Sequence, residues 1–319
     1  MAIQKHSQTR FYFAITGAIL AVSTAAIFIK FAQQDAPSLV IAAFRLTLAS
    51  LVLAPLALTH HRSELERLTG KGLALGLLAG LFLALHFALW ISSLEYTSVA
   101  SSVVLVTTTP LWVALAAPFA LKESLGRSVL IGMVLALAGG VIVGLSDACQ
   151  WPFGQAHSGL VCPSWSEFFK GQALLGNFLA LAGAWMAAGY LLIGRRLRAT
   201  LSLVPYIFVV YGMAALVLMA LMLAAGQSPL GYQPQTYLWL LALALIPQLL
   251  GHSTFNWALR YLPASFVSIA LLGEPIGATI LAYFLLKEVP GPLKIAGGVL
   301  ILAGIYTASL EREDQVTAE

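Results

Sequence analysis

The stretch at residues 110–144, PLWVALAAPFALKESLGRSVLIGMVLALAGGVIVG, has a counterpart at residues 274–308, EPIGATILAYFLLKEVPGPLKIAGGVLILAGIYTA. A shift of 165 residues superimposes Pro110 on Pro275, Lys122-Glu123 on Lys287-Glu288, Gly132 on Gly297 and Gly139 on Gly304. Apolar sequences match one another by chance, but coincident proline, Lys-Glu and glycine positions at one offset do not arise that way. The chain therefore contains an internal repeat, and self-similarity of this kind governs the fold.

The composition around this repeat is that of a membrane protein. Hydrophobic residue types make up 60% of the 319 residues, charged residues make up 9%, and the mean hydropathy is +0.89. Soluble globular proteins carry roughly 25% charged residues. This composition excludes a soluble enzyme and a disordered protein. The net charge of +4 is too small for a phosphate-binding surface, so the expected partner is the lipid bilayer and not nucleic acid.

The apolar stretches are long enough for transmembrane helices, which need about 20 apolar residues each. Ten are predicted, at residues 11–29, 38–58, 72–94, 99–121, 128–146, 172–194, 203–225, 237–259, 264–286 and 292–310. Only Arg45, Glu274 and Lys294 bring formal charge into them. The expected fold class is an all-α membrane protein with ten transmembrane helices.

Each of the two repeats contains five predicted helices. Because five is an odd number, the second repeat enters the membrane from the opposite side. This is an inverted repeat, which suits alternating access around a site near the bilayer midplane. The predicted units are a first repeat (1–146), a linker loop (147–171), a second repeat (172–310) and a tail (311–319). A channel or scaffold protein that arose by duplication would show the same inverted repeat.

Positive residues indicate the orientation. Twelve of the seventeen Lys and Arg residues lie in the two tails and the even-numbered connections, and positive residues favour the cytoplasmic side. Both termini are therefore expected in the cytoplasm and the linker outside. The linker holds both cysteines, Cys149 and Cys162. An oxidising compartment favours a disulfide between them, with two free thiols as the alternative.

The two quoted stretches resemble the end of an EamA domain of the drug/metabolite transporter superfamily. The shared pattern is a proline in the fourth helix, an apolar run, a glutamate at its end and a glycine-rich fifth helix. Residues 28–56, FIKFAQQDAPSLVIAAFRLTLASLVLAPL, also resemble that domain, including the arginine in the second helix. The resemblance covers nearly the whole chain as two tandem domains. It implies a ten-helix secondary transporter of the bacterial inner membrane, often an exporter of amino acids or related metabolites.

Two charged residues inside predicted spans are candidate functional groups. Glu274, near the middle of the ninth span, could couple transport to protons or contact a substrate ammonium. It could also be a permanently neutral carboxyl group hydrogen-bonded near the break at Pro275. Arg45 could bind a substrate carboxylate, bond carbonyls at a neighbouring helix end, or extend outward to the interface. Val210 stands where Arg45 would repeat, so any role of the arginine is confined to one half.

Two pairs of residues four apart share a helix face. His86 and Trp90 lie on the third predicted span, and His252 and Asn256 lie on the eighth. Polar side chains in a membrane usually face the bundle interior, so these pairs could line the pathway or bond neighbouring helices together. Without Cys, Asp or Glu at ligand spacing nearby, we expect neither a metal nor a cofactor.

Trp112 and Trp185 lie deep in their spans, away from the interfacial belts where tryptophan is common. They are expected either to form the wall of a substrate cavity or to pack as ordinary core residues.

Taken together, these features favour a secondary transporter that exports small metabolites such as amino acids, acting as a monomer or weak dimer. No P-loop is present, so direct ATP drive is not expected. Nucleosides, nucleotide sugars and drugs are the alternative substrates. An intramembrane enzyme would need a nucleophile–base set that the sequence lacks, and a channel stays an open alternative.

Overall fold

The computed structural model describes residues 2–68, 70–121, 127–148, 171–258, 260–261, 271 and 273–316. Side chains are described for these residues except at 2–12, 117–121, 129, 144, 147–148 and 308–316. Cys149, Cys162 and the Lys122-Glu123 pair lie outside the described residues, so the disulfide stays a prediction.

Every regular element in the described part of the chain is helical. The α-helices are α1 (Ala2–Ser23), α2 (Ala25–Ala32), α3 (Ser38–His60), α4 (Arg62–Glu66), α5 (Gly70–Tyr96), α6 (Val99–Val106), α7 (Thr109–Leu121), α8 (Arg127–Ala148), α9 (Gln172–Arg198), α10 (Leu203–Ala224), α11 (Pro234–Leu243), α12 (Ser253–Ala258), α13 (Gly273–Leu281) and α14 (Pro292–Val316). Two π-helical segments, Ala244–His252 and Ala282–Leu286, continue α11 and α13.

Seven segments are long and apolar enough to cross a membrane: Phe13–Ala32, Ser38–His60, Gly70–Tyr96, Val99–Ala116, Gln172–Arg198, Leu203–Ala224 and Pro234–Ala258. Three shorter apolar helices, at Leu130–Val143, Gly273–Leu286 and Pro292–Thr307, fall within the other three predicted spans. The chain is a multi-pass, all-helical membrane protein. The total of ten spans, their inverted arrangement and the position of the termini stay predictions.

Prolines break two of the predicted continuous helices, because proline has no backbone N–H to donate to the preceding turn. The fourth predicted span is split into α6 and α7 just before Pro110. In a regular helix the residue at position 110 would donate its N–H to the carbonyl of Val106, which Pro110 cannot do. That carbonyl instead accepts a hydrogen bond from the Thr109 hydroxyl at 2.8 Å. The eighth span widens into the π-helix around Pro247. Such π-segments are frequent at functional sites.

Helices α8 and α14 contact each other through glycines, backbone to backbone. A Cβ atom added to Gly139 would lie 2.6 Å from the carbonyl oxygen of Gly297, and one added to Gly304 would lie 2.5 Å from that of Gly132. The 165-residue shift converts the first pair into the second. The two helices therefore meet through equivalent residues of the two sequence repeats.

Carboxylates that are distant in the sequence cap the start of several helices. Glu95 accepts a hydrogen bond from the backbone N–H of Ser38, Glu288 from Val99, Asp35 from Gln233 and Glu64 from Ser202. These contacts satisfy N–H groups that have no partner inside the helix. Hydrogen bonds from Gln233 and Thr236 lower the pKa of Asp35. Burial would raise the pKa of Glu64, but the hydrogen bonds from Ser202 and the neighbouring His61 together outweigh it and lower that pKa.

Gly139→Val is expected to destabilise the protein by about 1–3 kcal/mol, because the added side chain would push α8 away from α14. Gly212→Val is the matched control, since Gly212 is also helical and a Cβ there meets no atom within 4 Å. Thermal unfolding of the detergent-purified proteins measures the difference. Equal unfolding midpoints for the two variants would show that this glycine contact is not needed.

Candidate functional site

A cavity of about 100 Å³ lies among α5, the α6–α7 break, α9, the α11–α12 segment and the start of α13. Its polar lining residues are His86, Trp90, Thr107, Thr109, Tyr190, Arg195, His252, Asn256 and Glu274. The rest of its wall is formed mainly by aliphatic residues and Phe255. Five of the eight residues predicted for the site therefore meet in one place: His86, Trp90, His252, Asn256 and Glu274.

His86 and Trp90 lie side by side on α5. Their rings stack with centroids 6.0 Å apart and an interplanar angle of 13°. The His86 Nδ1 atom lies 2.9 Å from the Gly183 carbonyl oxygen. Because a carbonyl only accepts, Nδ1 must carry the proton, and in a neutral ring Nε2 is left as an acceptor. His86 therefore bonds two helices together and also lines the cavity.

Asn256 is held at both ends of its amide. The Tyr190 hydroxyl donates to Asn256 Oδ1 at 2.7 Å, and Asn256 Nδ2 donates to the His252 carbonyl at 2.9 Å. The His252 ring contacts the Phe87 ring edge-on, with centroids 5.5 Å apart. The amide is thus a fixed part of the wall that joins α9 to α12.

Arg45 does not line the cavity. It is fully buried behind the aromatic rings of α5, with its Cζ atom 4.1 Å from the Phe87 centroid and 5.8 Å from the Trp90 centroid. Its Nε donates to Gln248 Oε1 at 2.8 Å. Extension to the membrane interface, one of the alternatives for Arg45, is wrong because no part of the side chain reaches the protein surface.

Glu274 is almost buried and borders the cavity, directly before Pro275. It acts electrostatically on Arg45, but the two do not form a direct ion pair. Within the described ranges, Arg62 and Glu66 form an ion pair, and His61 Nδ1 lies 3.7 Å from Glu64 Oε2; both contacts are in the connection between α3 and α5. The carboxyl group of Glu274 is therefore placed to meet a molecule in the cavity.

Trp112 and Trp185 lie outside this cavity. Their rings meet edge to face, 5.4 Å apart, and the Trp112 Nε1 atom donates to the Thr108 hydroxyl at 3.0 Å. Trp112 borders a separate, almost wholly apolar groove of about 380 Å³ between α7, α8 and α9. The position of each tryptophan in the sequence predicted that it lies deep in its span. It did not predict which face of the helix lines the cavity.

Four polar residues of the cavity wall were not singled out as site residues by sequence: Thr107, Thr109, Tyr190 and Arg195. Gln248, which is bonded to Arg45, and Tyr211 were also missed. Gln248 is completely buried and Tyr211 contacts the Ser253 hydroxyl at 3.3 Å. Gln248 lies four residues before His252, so the helical spacing that paired His252 with Asn256 extends to it. Groups of three or more potential metal ligands are not found in the part of the chain that the structure describes.

Comparison with known proteins gives one family. The model of the EamA-like transporter family matches residues 9–145 and again residues 174–310. A protein of Archaeoglobus fulgidus named only as an uncharacterized transporter is 25% identical over 311 residues, covering 96% of this chain and 99% of its own. A crystal structure of another protein matches with a TM-score of 0.63 at 20% identity, over 96% of this chain and 99% of that one. At that identity the likeness concerns the fold alone.

Tyr190→Phe is expected to destabilise the protein by about 1–3 kcal/mol, because the buried Asn256 oxygen would lose its donor on α9. Tyr283→Phe is the control, since it removes a hydroxyl from a half-exposed side chain. Thermal unfolding in detergent measures both. An unfolding midpoint for Tyr190→Phe equal to that of the control would contradict a structural role for this hydrogen bond.

Proposed function

Because the chain belongs to the EamA-like transporter family of the drug/metabolite transporter superfamily, we propose that it is a secondary transporter of a bacterial inner membrane. It exports small metabolites, with amino acids the leading class, by alternating access around the central cavity. The observation that carries this proposal is that both sequence repeats contribute residues to the cavity wall. Residues 83–113 of the first predicted repeat and residues 187–274 of the second both contribute to it.

The shapes of repeat-related helices support alternating access. The shift of 165 residues relates α5 to the α11–α12 segment, and α9 to the region of α1 and α2. Both α5 and α9 run unbroken for 27 residues, whereas their counterparts are interrupted by the π-helix and by a turn at Thr24. Similar sequences thus adopt different shapes in the two halves. A carrier with inverted repeats works by exchanging such shapes between its halves.

The chemistry of the cavity suits a small zwitterion with an apolar side chain. Binding sites for small molecules are mostly apolar, with a few placed polar groups that fix orientation. Here the aliphatic wall would hold the side chain, and Glu274 would contact an ammonium group. His86 and Asn256 would supply neutral hydrogen-bonding groups in the same cavity.

Counterflow in proteoliposomes tests the function. Vesicles preloaded with each of a panel of unlabelled amino acids are expected to take up the labelled form transiently and with saturation. A channel would give conductance without counterflow. Absence of counterflow for amino acids, from protein shown to be folded, would move the proposal to nucleosides, nucleotide sugars or drugs. Failure of that wider panel would overturn the carrier proposal.

Glu274→Gln tests proton coupling separately. Glutamine keeps the size of the side chain but cannot release a proton, so proton-driven flux is expected to fall at least tenfold while substrate exchange continues. Glu66→Gln is the control, because Glu66 is exposed in the connection between α3 and α5. An unchanged flux at every pH would remove Glu274 from the coupling mechanism.

A further inference from the structure

Four buried N–H groups near the cavity have no hydrogen-bond acceptor in the described part of the chain. They are Nη1 and Nη2 of Arg45, Nε2 of Gln248 and Nε1 of Trp90. The three side chains are between 0% and 2% exposed. Buried polar groups in proteins are nearly always paired, so four unpaired donors on three neighbouring residues need a physical reason.

These donors belong to one cluster. The Arg45–Gln248 hydrogen bond uses the amide oxygen of Gln248 and leaves its NH₂ group without a partner. The Arg45 guanidinium lies between that amide and the rings of Phe87 and Trp90. Trp90 also lines the cavity. The cluster is therefore separated from the cavity by the thickness of one aromatic side chain.

The cluster contains donors and a permanent positive charge. An arginine side chain cannot lose its proton under ordinary conditions, and it offers a planar fork of N–H groups. Leaving a charged donor buried and unpaired is costly. The chemical complement is a group that only accepts hydrogen bonds, carries negative charge and has two oxygens in one plane. A carboxylate has these properties, and the carboxyl group of Glu274 acts on Arg45 electrostatically without accepting a hydrogen bond from its Nη1 or Nη2 atoms.

We propose that Arg45, Gln248 and Trp90 form the binding site for the carboxylate group of the transported molecule. The inference rests on the proposed transport function and narrows its substrate to organic acids and amino acids. Arg45 binds both carboxylate oxygens through Nη1 and Nη2. The Gln248 amide and the Trp90 indole N–H complete the set after a rotation of the Trp90 ring opens the cluster to the cavity.

The repeat gives this site a single orientation. The 165-residue shift places Val210 opposite Arg45, Leu83 opposite Gln248 and Phe255 opposite Trp90. All three counterparts are apolar, and both Leu83 and Phe255 line the cavity. The symmetry-related position therefore has no donor for a carboxylate and suits a hydrocarbon group. The substrate is expected to bind once per protein, with its carboxylate toward Arg45 and its apolar part toward Phe255.

The test uses ligands that differ only in their polar group. Pentanoate, hexanoate and 3-phenylpropanoate are titrated against the purified full-length protein, each beside the amide and the amine of the same carbon skeleton. Thermal unfolding reports binding. At least one carboxylate is expected to raise the unfolding midpoint, and its amide and amine are not. In Arg45→Lys the dissociation constant should rise about tenfold, which equals about 1.4 kcal/mol, because lysine lacks the bidentate fork.

Trp90→Phe keeps an aromatic ring but removes the indole N–H together with the five-membered ring that carries it, so it serves if Arg45→Lys does not fold. It is expected to weaken carboxylate binding threefold to tenfold. Trp239→Phe is its matched control, because Trp239 packs against Phe28 and Phe31 and does not line the cavity. Equal stabilisation by acids and amides, no stabilisation by any acid, or unchanged binding in Trp90→Phe would each overturn the inference.

Counterflow separates this inference from the transport proposal. Carboxylate binding that depends on Trp90, in a protein without counterflow, would leave the site standing and remove the transporter function. Counterflow of a substrate without a carboxylate would leave the transporter standing and overturn the carboxylate site.

Discussion

The constraint on which this structure depends is that lipid offers no hydrogen bonds to the backbone. Every N–H and C=O group at membrane depth must find its partner within the protein, so helices are the default. Departures from helix need a substitute partner. At the α6–α7 break the Thr109 hydroxyl bonds the carbonyl that Pro110 leaves free. The interruptions at Pro110 and around Pro247 both border the cavity, through Pro110 and His252, where irregular backbone is buried in protein.

A second constraint follows from the first. With lipid as apolar as the helices themselves, association relies on close packing and on a few interhelical hydrogen bonds. The glycines of α8 and α14 let those helices touch backbone to backbone. Around the cavity, interhelical hydrogen bonds hold the helices together. The pairs Tyr190–Asn256 and Arg45–Gln248 each join different helices. His86 and Asn256 make structural hydrogen bonds and also line the cavity, so the two roles proposed for them do not exclude each other.

The repeats are similar in sequence but unequal in chemistry, and that inequality shapes the site. Arg45, Gln248 and Trp90 have apolar residues at their counterpart positions, and Glu274 has Thr109. In the proposed carrier, the repeated helices would supply two alternative arrangements, and the unequal side chains would decide how one molecule is held between them. Movement between the two arrangements would depend on the helices that the repeats share. Recognition of the substrate would depend on the side chains that differ between them.

The sequence by itself determined the membrane environment, the helical class, the repeat and the family resemblance, because each depends on composition or spacing along the chain. It also identified His86, Trp90, His252, Asn256 and Glu274, since buried polar residues are rare enough in apolar spans to be noticed singly. Only the tertiary structure decided which of them meet, because breaks at Pro110 and around Pro247 change the helix faces that a regular periodicity assumes. It shows that Trp112 and Trp185 lie outside the cavity. It also shows that Gln248 hydrogen-bonds to Arg45, a residue 203 positions away in the sequence. Such a pairing depends on helix packing in three dimensions, which local spacing does not encode.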